Sequence, residues 1–156
     1  MKNRFFFLTI CLLFLFSCNT TPDSTTSNSN VISSIDMSKY EYASIGSNVT
    51  GGSTIMGALM DLQNSLISCG YKIVGDTRIN SMLAQEDLPK LFIVTMGLTS
   101  TKSQSVCIIN LTDYVSGYII ASFRGSFGWG WGIEEDQKGA IGEAIEKMEN
   151  AIKKNK

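Results

Sequence analysis

The chain of 156 residues contains no histidine. That absence removes the side chain most often used as a general base or neutral metal ligand near pH 7. A serine nucleophile therefore has no imidazole to activate it. A zinc site would lack its usual nitrogen ligands. No apolar run is long either. The longest extends from Phe5 to Phe16 and is broken by Thr9, well short of the roughly 20 residues a membrane-spanning helix needs. Neither charge sign dominates, with 13 basic against 14 acidic residues, so the basic patch that nucleic acid requires is missing.

What the N-terminus does have is an address. Lys2 and Arg4 precede the Phe5-to-Phe16 run, and a short positive segment before a short apolar one reads as an export signal. The run ends in Leu15-Phe16-Ser17-Cys18, which resembles the lipobox of bacterial lipoproteins. The resemblance implies that residues 1–17 are removed and that the Cys18 thiol carries a covalent lipid, the only prosthetic group expected. Two or three acyl chains make a stable anchor, at about 0.8 kcal/mol per buried methylene. Asn19 follows the cysteine where an aspartate would signal inner-membrane retention, so the expected location is the outer membrane, facing the periplasm.

Residues 18–38 begin with the lipidated cysteine and continue as a Ser/Thr/Asn-rich tract. Such composition has little to bury and is expected to remain a flexible tether. Asp23-Ser24-Thr25 resembles an O-glycosylation sequon of some Gram-negative bacteria, which makes Ser24 a candidate acceptor. Residues 39–156 are then long enough for a single domain with a modest core. Without Lys2 and Arg4 the basic residues fall to 11 against 14 acidic, a net charge of about −3. Electrostatic binding to anionic headgroups is not expected from that balance. Cys69 and Cys107 are the thiols left in this domain. An exported location permits a disulfide between them, and two separate buried thiols are the equal alternative.

Hydrophobic spacing predicts the elements. Tyr40 to Ile45 alternates as a strand does. Ile55, Leu59, Leu62, Leu66 and Cys69 fall on one helix stripe, and Gly70 stands where a C′ glycine would end it. Tyr71 to Val74 is a short strand. Residues 79–89 hold at most a helical turn before Pro89. Leu91 to Leu98 is apolar on both faces, as in a central strand. Gln104 to Asp113 and Tyr118 to Phe127 are further strands, with Cys107, Ile109 and Leu111 on one face and Ile119, Ala121 and Phe123 aligned. A last helix from Glu134 to Lys153 carries the stripe Ile141, Ile145, Met148 and Ile152. The order β-α-β-β-β-β-α predicts an α/β (α+β) fold. Its one mixed sheet of about five strands has a parallel crossover followed by an antiparallel meander, and both helices pack on one face.

Two stretches resemble a family of exported α/β lipoprotein domains. The family includes the curli secretion channel lipoprotein, the penicillin-binding-protein activator lipoprotein and the N-terminal domain of the Tol-system translocation protein. One stretch is Gly70-Tyr71-Lys72-Ile73-Val74 with Arg78 nearby. The other is Leu111 to Ile119, where Asp113 and Gly117 bracket a turn. The resemblance spans about residues 40–152. It implies a non-enzymatic adaptor that docks to an envelope protein, and it transfers no catalytic residue. The Pro-Phe ending of the family's first strand is absent here, and the chain has no room for a channel's membrane hairpins.

Three segments are candidates for chemistry. Gly46, Gly51, Gly52 and Ser53 nearly reproduce a phosphate-binding loop, but Gly52 stands where the lysine belongs, so a helix-capping loop is the better reading. Glu134, Glu135 and Asp136 could suggest paired carboxylates, yet acidic residues are favoured at any helix start. Phe127, Trp129 and Trp131 alternate with small residues and would share one face of an extended chain. Such a ladder can contact a protein partner, stack on a glycan, rest in the membrane interface, or simply close the open end of the core. The expected function is therefore a non-enzymatic envelope adaptor, with a peptidoglycan- or polysaccharide-binding module as the alternative.

Overall fold

The computed structural model describes residues 36–46, 53–128 and 132–156. Asp36 accepts a hydrogen bond from the Ser38 N–H at 3.0 Å and so caps a 3-10 turn, Met37–Lys39. Strand β1 is Tyr42–Ile45, helix α1 is Ser53–Ser68 and strand β2 is Lys72–Ile73. A 3-10 turn, Asp76–Arg78, a single helical turn, α2, Ile79–Met82, and a second 3-10 segment, Gln85–Lys90, follow. Strands β3, Leu91–Ser100, β4, Ser105–Asp113, and β5, Ile119–Phe127, precede the long helix α3, Ile133–Lys154.

The strands form one sheet in the order β2-β1-β3-β4-β5. β1 is parallel to both β2 and β3, while β3, β4 and β5 are antiparallel neighbours. The doubly apolar segment from Leu91 is indeed central, and both of its faces are used. Phe92, Val94 and Met96 point into the main core beneath the helices. Leu91 joins Val74 and Ile79 in a second cluster on the opposite face, covered by residues from the 74–90 segment. That segment is more structured than its composition suggests, because it has an apolar sheet face to cover.

The helix stripes are buried as spaced. Ile55, Leu62, Leu66 and Cys69 of α1 and the segment after it, and Ile141, Ile145, Met148 and Ile152 of α3, all sit in the main core. Each such aliphatic side chain contributes about 1.5–3 kcal/mol by leaving water. Gly70 ends α1 with φ +86°, and the Gly70 and Tyr71 N–H groups satisfy the Ile67 and Leu66 carbonyls. Only a residue tolerant of positive φ serves there.

Two expectations change. Ile119 does not align with Ala121 and Phe123. The register shifts between Leu111 and Thr112, so that Leu111 pairs with Ala121 but Thr112 pairs with Ile119. This bulge inserts one extra residue in β5, and Ile119 is left 54% exposed while Ala121 and Phe123 are buried. Met37, which composition alone places in the tether, is also buried. Its N–H donates to the Asn155 carbonyl at 3.2 Å, tying the start of the domain to its end.

Candidate functional site

The topology gives the domain two unlike ends. At one end lie the 3-10 turn at residue 37, the start of β3, the β4–β5 turn and the C-terminus of α3. The hydrogen bond from Met37 to Asn155 and that from the Tyr114 N–H to the Leu91 carbonyl hold this end together. At the other end lie the C-termini of β1, β3 and β5 and the N-termini of α1 and α3. The two helices run parallel to each other, because each follows a strand that climbs toward that end.

Between the helices is a groove of about 400 Å³, lined by Thr54, Gly57, Ala58 and Asp61 of α1 and by Glu134, Lys138, Ile141, Gly142 and Ile145 of α3. It occupies the N-terminal halves of both helices. Farther along, Ser65 Oγ and Ser68 Oγ donate to the Glu149 carboxylate at 3.1 and 3.5 Å, and this polar seam closes the helix pair. Two of the groove's lining residues have no side chain. A Cβ placed on Gly57 or Gly142 would meet nothing within 4 Å. A glycine inside a helix costs roughly 0.5–1 kcal/mol relative to alanine, and no contact among the described residues explains either one.

Gly125 and Gly139 differ in this respect. A Cβ on Gly125 would lie 2.0 Å from the Ala140 carbonyl oxygen and 2.6 Å from the Ala144 nitrogen, so this glycine lets α3 lie directly on β5. A Cβ on Gly139 would meet the Phe127 ring at 2.4 Å. Phe127 thus rests on α3 while remaining 40% exposed. Trp129 and Trp131 lie outside the described residues. Their neighbours Phe127 and Gly132 stand at the groove's end of the domain, since Gly132 directly precedes the first turn of α3.

The acidic start of α3 behaves as a helix terminus. Glu134, Glu135 and Asp136 are in its first turn, and Glu134 pairs with Lys138 at 3.1 Å with both side chains more than half exposed. Among the described residues, no group of three or more His, Cys, Asp or Glu is placed to hold a metal ion. No helix among them is long and apolar enough to cross a membrane.

Cys69 and Cys107 are free and buried, so the disulfide expectation gives way to the alternative of two separate thiols. Their positions explain why. The Cys69 carbonyl accepts from Lys156 Nζ at 2.7 Å, near the C-terminus of α3. Cys107 pairs with Gly125, which abuts Ala140 and Ala144 near the middle of the same helix. The two thiols thus sit at different levels along α3 and are both free, whereas a disulfide needs Cα atoms within about 7 Å. Burial pushes the Cys107 thiol up to about 11 and raises that of Cys69.

The other constellation is the Asp113 clamp. Its Oδ1 accepts from the Ser116 N–H at 2.8 Å and Ser116 Oγ at 2.9 Å, and its Oδ2 accepts from Tyr40 Oη at 2.8 Å and Lys39 Nζ at 3.3 Å. Burial works to raise its pKa, but these donors outweigh burial and hold the carboxyl below the usual carboxylate range. Gly117, at φ +69°, completes the turn, with its N–H on the Asp113 carbonyl. The Asp113 and Gly117 spacing noted in the sequence is thus a turn, and its carboxylate locks the turn to the first residues of the domain.

Cys18, Ser24, the export signal and the loop containing Gly51 and Gly52 lie outside the described residues. The groove escaped sequence reasoning because it depends on how two helices sit side by side. The available signal was a glycine inside each helix pattern, Gly57 and Gly142.

No protein-family model and no curated protein matches this chain. Among solved structures it is similar to the PelC dodecamer from Paraburkholderia phytofirmans, at 12% identity and TM-score 0.46 over 69% of this chain and 86% of that one. It is also similar to a protein of Caulobacter crescentus CB15 described as a lipoprotein, at 10% identity and TM-score 0.37 over 75% and 89%. A third is a Helicobacter pylori homologue of the neuraminyllactose-binding hemagglutinin, at 16% identity and TM-score 0.35 over 71% and 72%. At this level of likeness the chain is assigned to no family.

Proposed function

We infer that this chain is a lipid-anchored, non-enzymatic adaptor of the bacterial envelope that receives a segment of a protein partner in the groove between α1 and α3. The lipobox-like Leu15-Phe16-Ser17-Cys18 supports the anchor and, with Asn19, the outer membrane. The observation that carries the docking reading is the facing pair of helix-interior glycines, Gly57 and Gly142, with open space above both. The domain tolerates this cost without using the space itself, which suits an occupant approaching the helix backbone. Ile141 and Ile145 supply an apolar floor, while Asp61, Glu134 and Lys138 offer charges of both signs at the rim. That mixture suits a peptide segment better than a purely apolar ligand.

Crosslinking in living cells, read by mass spectrometry, tests this reading. Wild type is compared with Gly142→Leu, which projects a side chain into the groove from a position where a Cβ meets nothing within 4 Å. One dominant envelope protein, captured by wild type and lost in Gly142→Leu, is the expected result. The same capture from both chains refutes the groove as the site. The glycan alternative rests on Phe127, Trp129 and Trp131. It predicts that tryptophan emission shifts with peptidoglycan fragments and that Trp129→Ala with Trp131→Ala abolishes sedimentation with peptidoglycan. Unchanged emission and no sedimentation of wild type refute it.

A further inference from the structure

We propose that the β4–β5 turn is a membrane-contact tip, seated in the interfacial region of the bilayer that carries the anchor. This rests on the Cys18 lipid anchor. Three large apolar residues cluster around this single turn and are left in water: Val115 at 63%, Tyr118 at 76% and Ile119 at 54% exposed. The bulge between Leu111 and Thr112 is what turns Ile119 outward from the core. An adjacent tyrosine with two aliphatic residues is the composition that settles at a headgroup boundary, the ring in the acyl edge and the hydroxyl toward water.

The position of the tip supplies the occupant. Asp113, at the base of the turn, is held by Tyr40 Oη at 2.8 Å and by Lys39 Nζ at 3.3 Å. These residues lie just after Asp36, where the described domain begins. From Cys18 to Asp36 is 18 residues, a reach of at most about 65 Å even for a fully extended chain. The chain enters the domain at the end that bears the tip, so the anchor tethers that end, rather than the groove end, to the bilayer. The groove, at the far ends of α1 and α3, is left facing away from the lipid. Recognition here is of an apolar interface, with no requirement for anionic headgroups, in keeping with a mature net charge of about −3.

The test uses the full-length lipoprotein reconstituted into phosphatidylethanolamine/phosphatidylglycerol vesicles. Tyr118→Cys carries an environment-sensitive fluorophore, and Lys102→Cys, exposed at the opposite end in the β3–β4 turn, carries the same label as reference. Wild type, whose Cys69 and Cys107 are buried, serves as the labelling blank. The expected result is a blue shift at position 118 on vesicles, with quenching by nitroxide lipids, and neither effect at position 102. Equal quenching of both positions by aqueous iodide overturns the proposal while leaving the anchor intact. Protection of position 118 by an added envelope protein, but not by lipid, overturns it as well. Mass spectrometry of the N-terminal peptide from the same sample separates the other failure. An unmodified Cys18 would overturn the anchor reading and the membrane tip with it.

Discussion

Replacing Asp113 by asparagine keeps the size of the side chain and removes its charge, which makes the clamp at the β4–β5 turn open to measurement. The amide oxygen can still accept from the Ser116 N–H and Oγ. The amide nitrogen then stands where Oδ2 received Tyr40 Oη and Lys39 Nζ. The hydrogen bond from buried Tyr40 is charge-assisted and worth about 1.5–3 kcal/mol. The Lys39 side chain is 54% exposed, so its loss adds little after solvent screening. Asp113→Asn should therefore cost about 2–3 kcal/mol, or roughly 8–15 °C in Tm for a domain of this size. The pH dependence gives the sharper test. The folded-state pKa of Asp113 is depressed, so its contribution is fully present above the ordinary aspartate value near 4. It is lost as pH falls below that value toward the folded pKa. The gap between wild type and Asp113→Asn should be constant from pH 7 to about 5 and should narrow steadily below pH 4. Melts followed by circular dichroism at both ends of that window decide the matter. A gap under about 2 °C at pH 7, or one that keeps its full size at pH 2.5, refutes the clamp.

The glycines and thiols give further expectations. Gly125→Ala should destabilise by about 3 kcal/mol, at the upper end of overpacking effects, because its Cβ meets the backbone of α3, whereas Gly139→Ala should cost less, about 1–2 kcal/mol, since it meets a side chain but requires the whole Phe127 ring, Cγ included, to turn away; urea titrations separate the two. Gly57→Ala and Gly142→Ala should each stabilise by about 0.5–1 kcal/mol, and a loss of stability in either would show that the groove is packed rather than open. Cys69 and Cys107 should resist a thiol reagent in the folded protein and react together on unfolding. A mass gain of two hydrogens on reduction would contradict the free thiols. Tyr71 is buried with no hydrogen-bond partner for its hydroxyl among the described residues, and burial pushes that hydroxyl's pKa well up. Tyr71→Phe should be neutral or slightly stabilising, and a Tm loss above about 5 °C would reveal a partner.

Local periodicity made much of the fold legible. The α1 and α3 stripes, the glycine stop at Gly70, the Asp113–Gly117 turn and the doubly buried β3 each depend on spacings of a few residues, and each is found. What could not be read depends on contacts distant in sequence. Nothing near Ile119 signals the bulge, which is a property of its pairing with Thr112. The covering of the second sheet face by Val74 and Ile79 follows from where the chain crosses after β2. Met37 is buried because Asn155 lies beside it. At the functional level, the acidic start of α3 and the near phosphate loop were already weak as sites in the sequence. The groove needed both helices placed together, and the exposed tip needed the bulge.

The docking of a protein partner between α1 and α3 is tested most directly by site-resolved photocrosslinking in living cells. A photoreactive residue is placed in turn at Asp61 and Lys138, on the two walls of the groove, and at Arg124, exposed on the opposite face of the sheet. The account predicts the same envelope protein crosslinked from positions 61 and 138 and none from position 124. Equal capture from all three positions, or none from either wall of the groove, would contradict it.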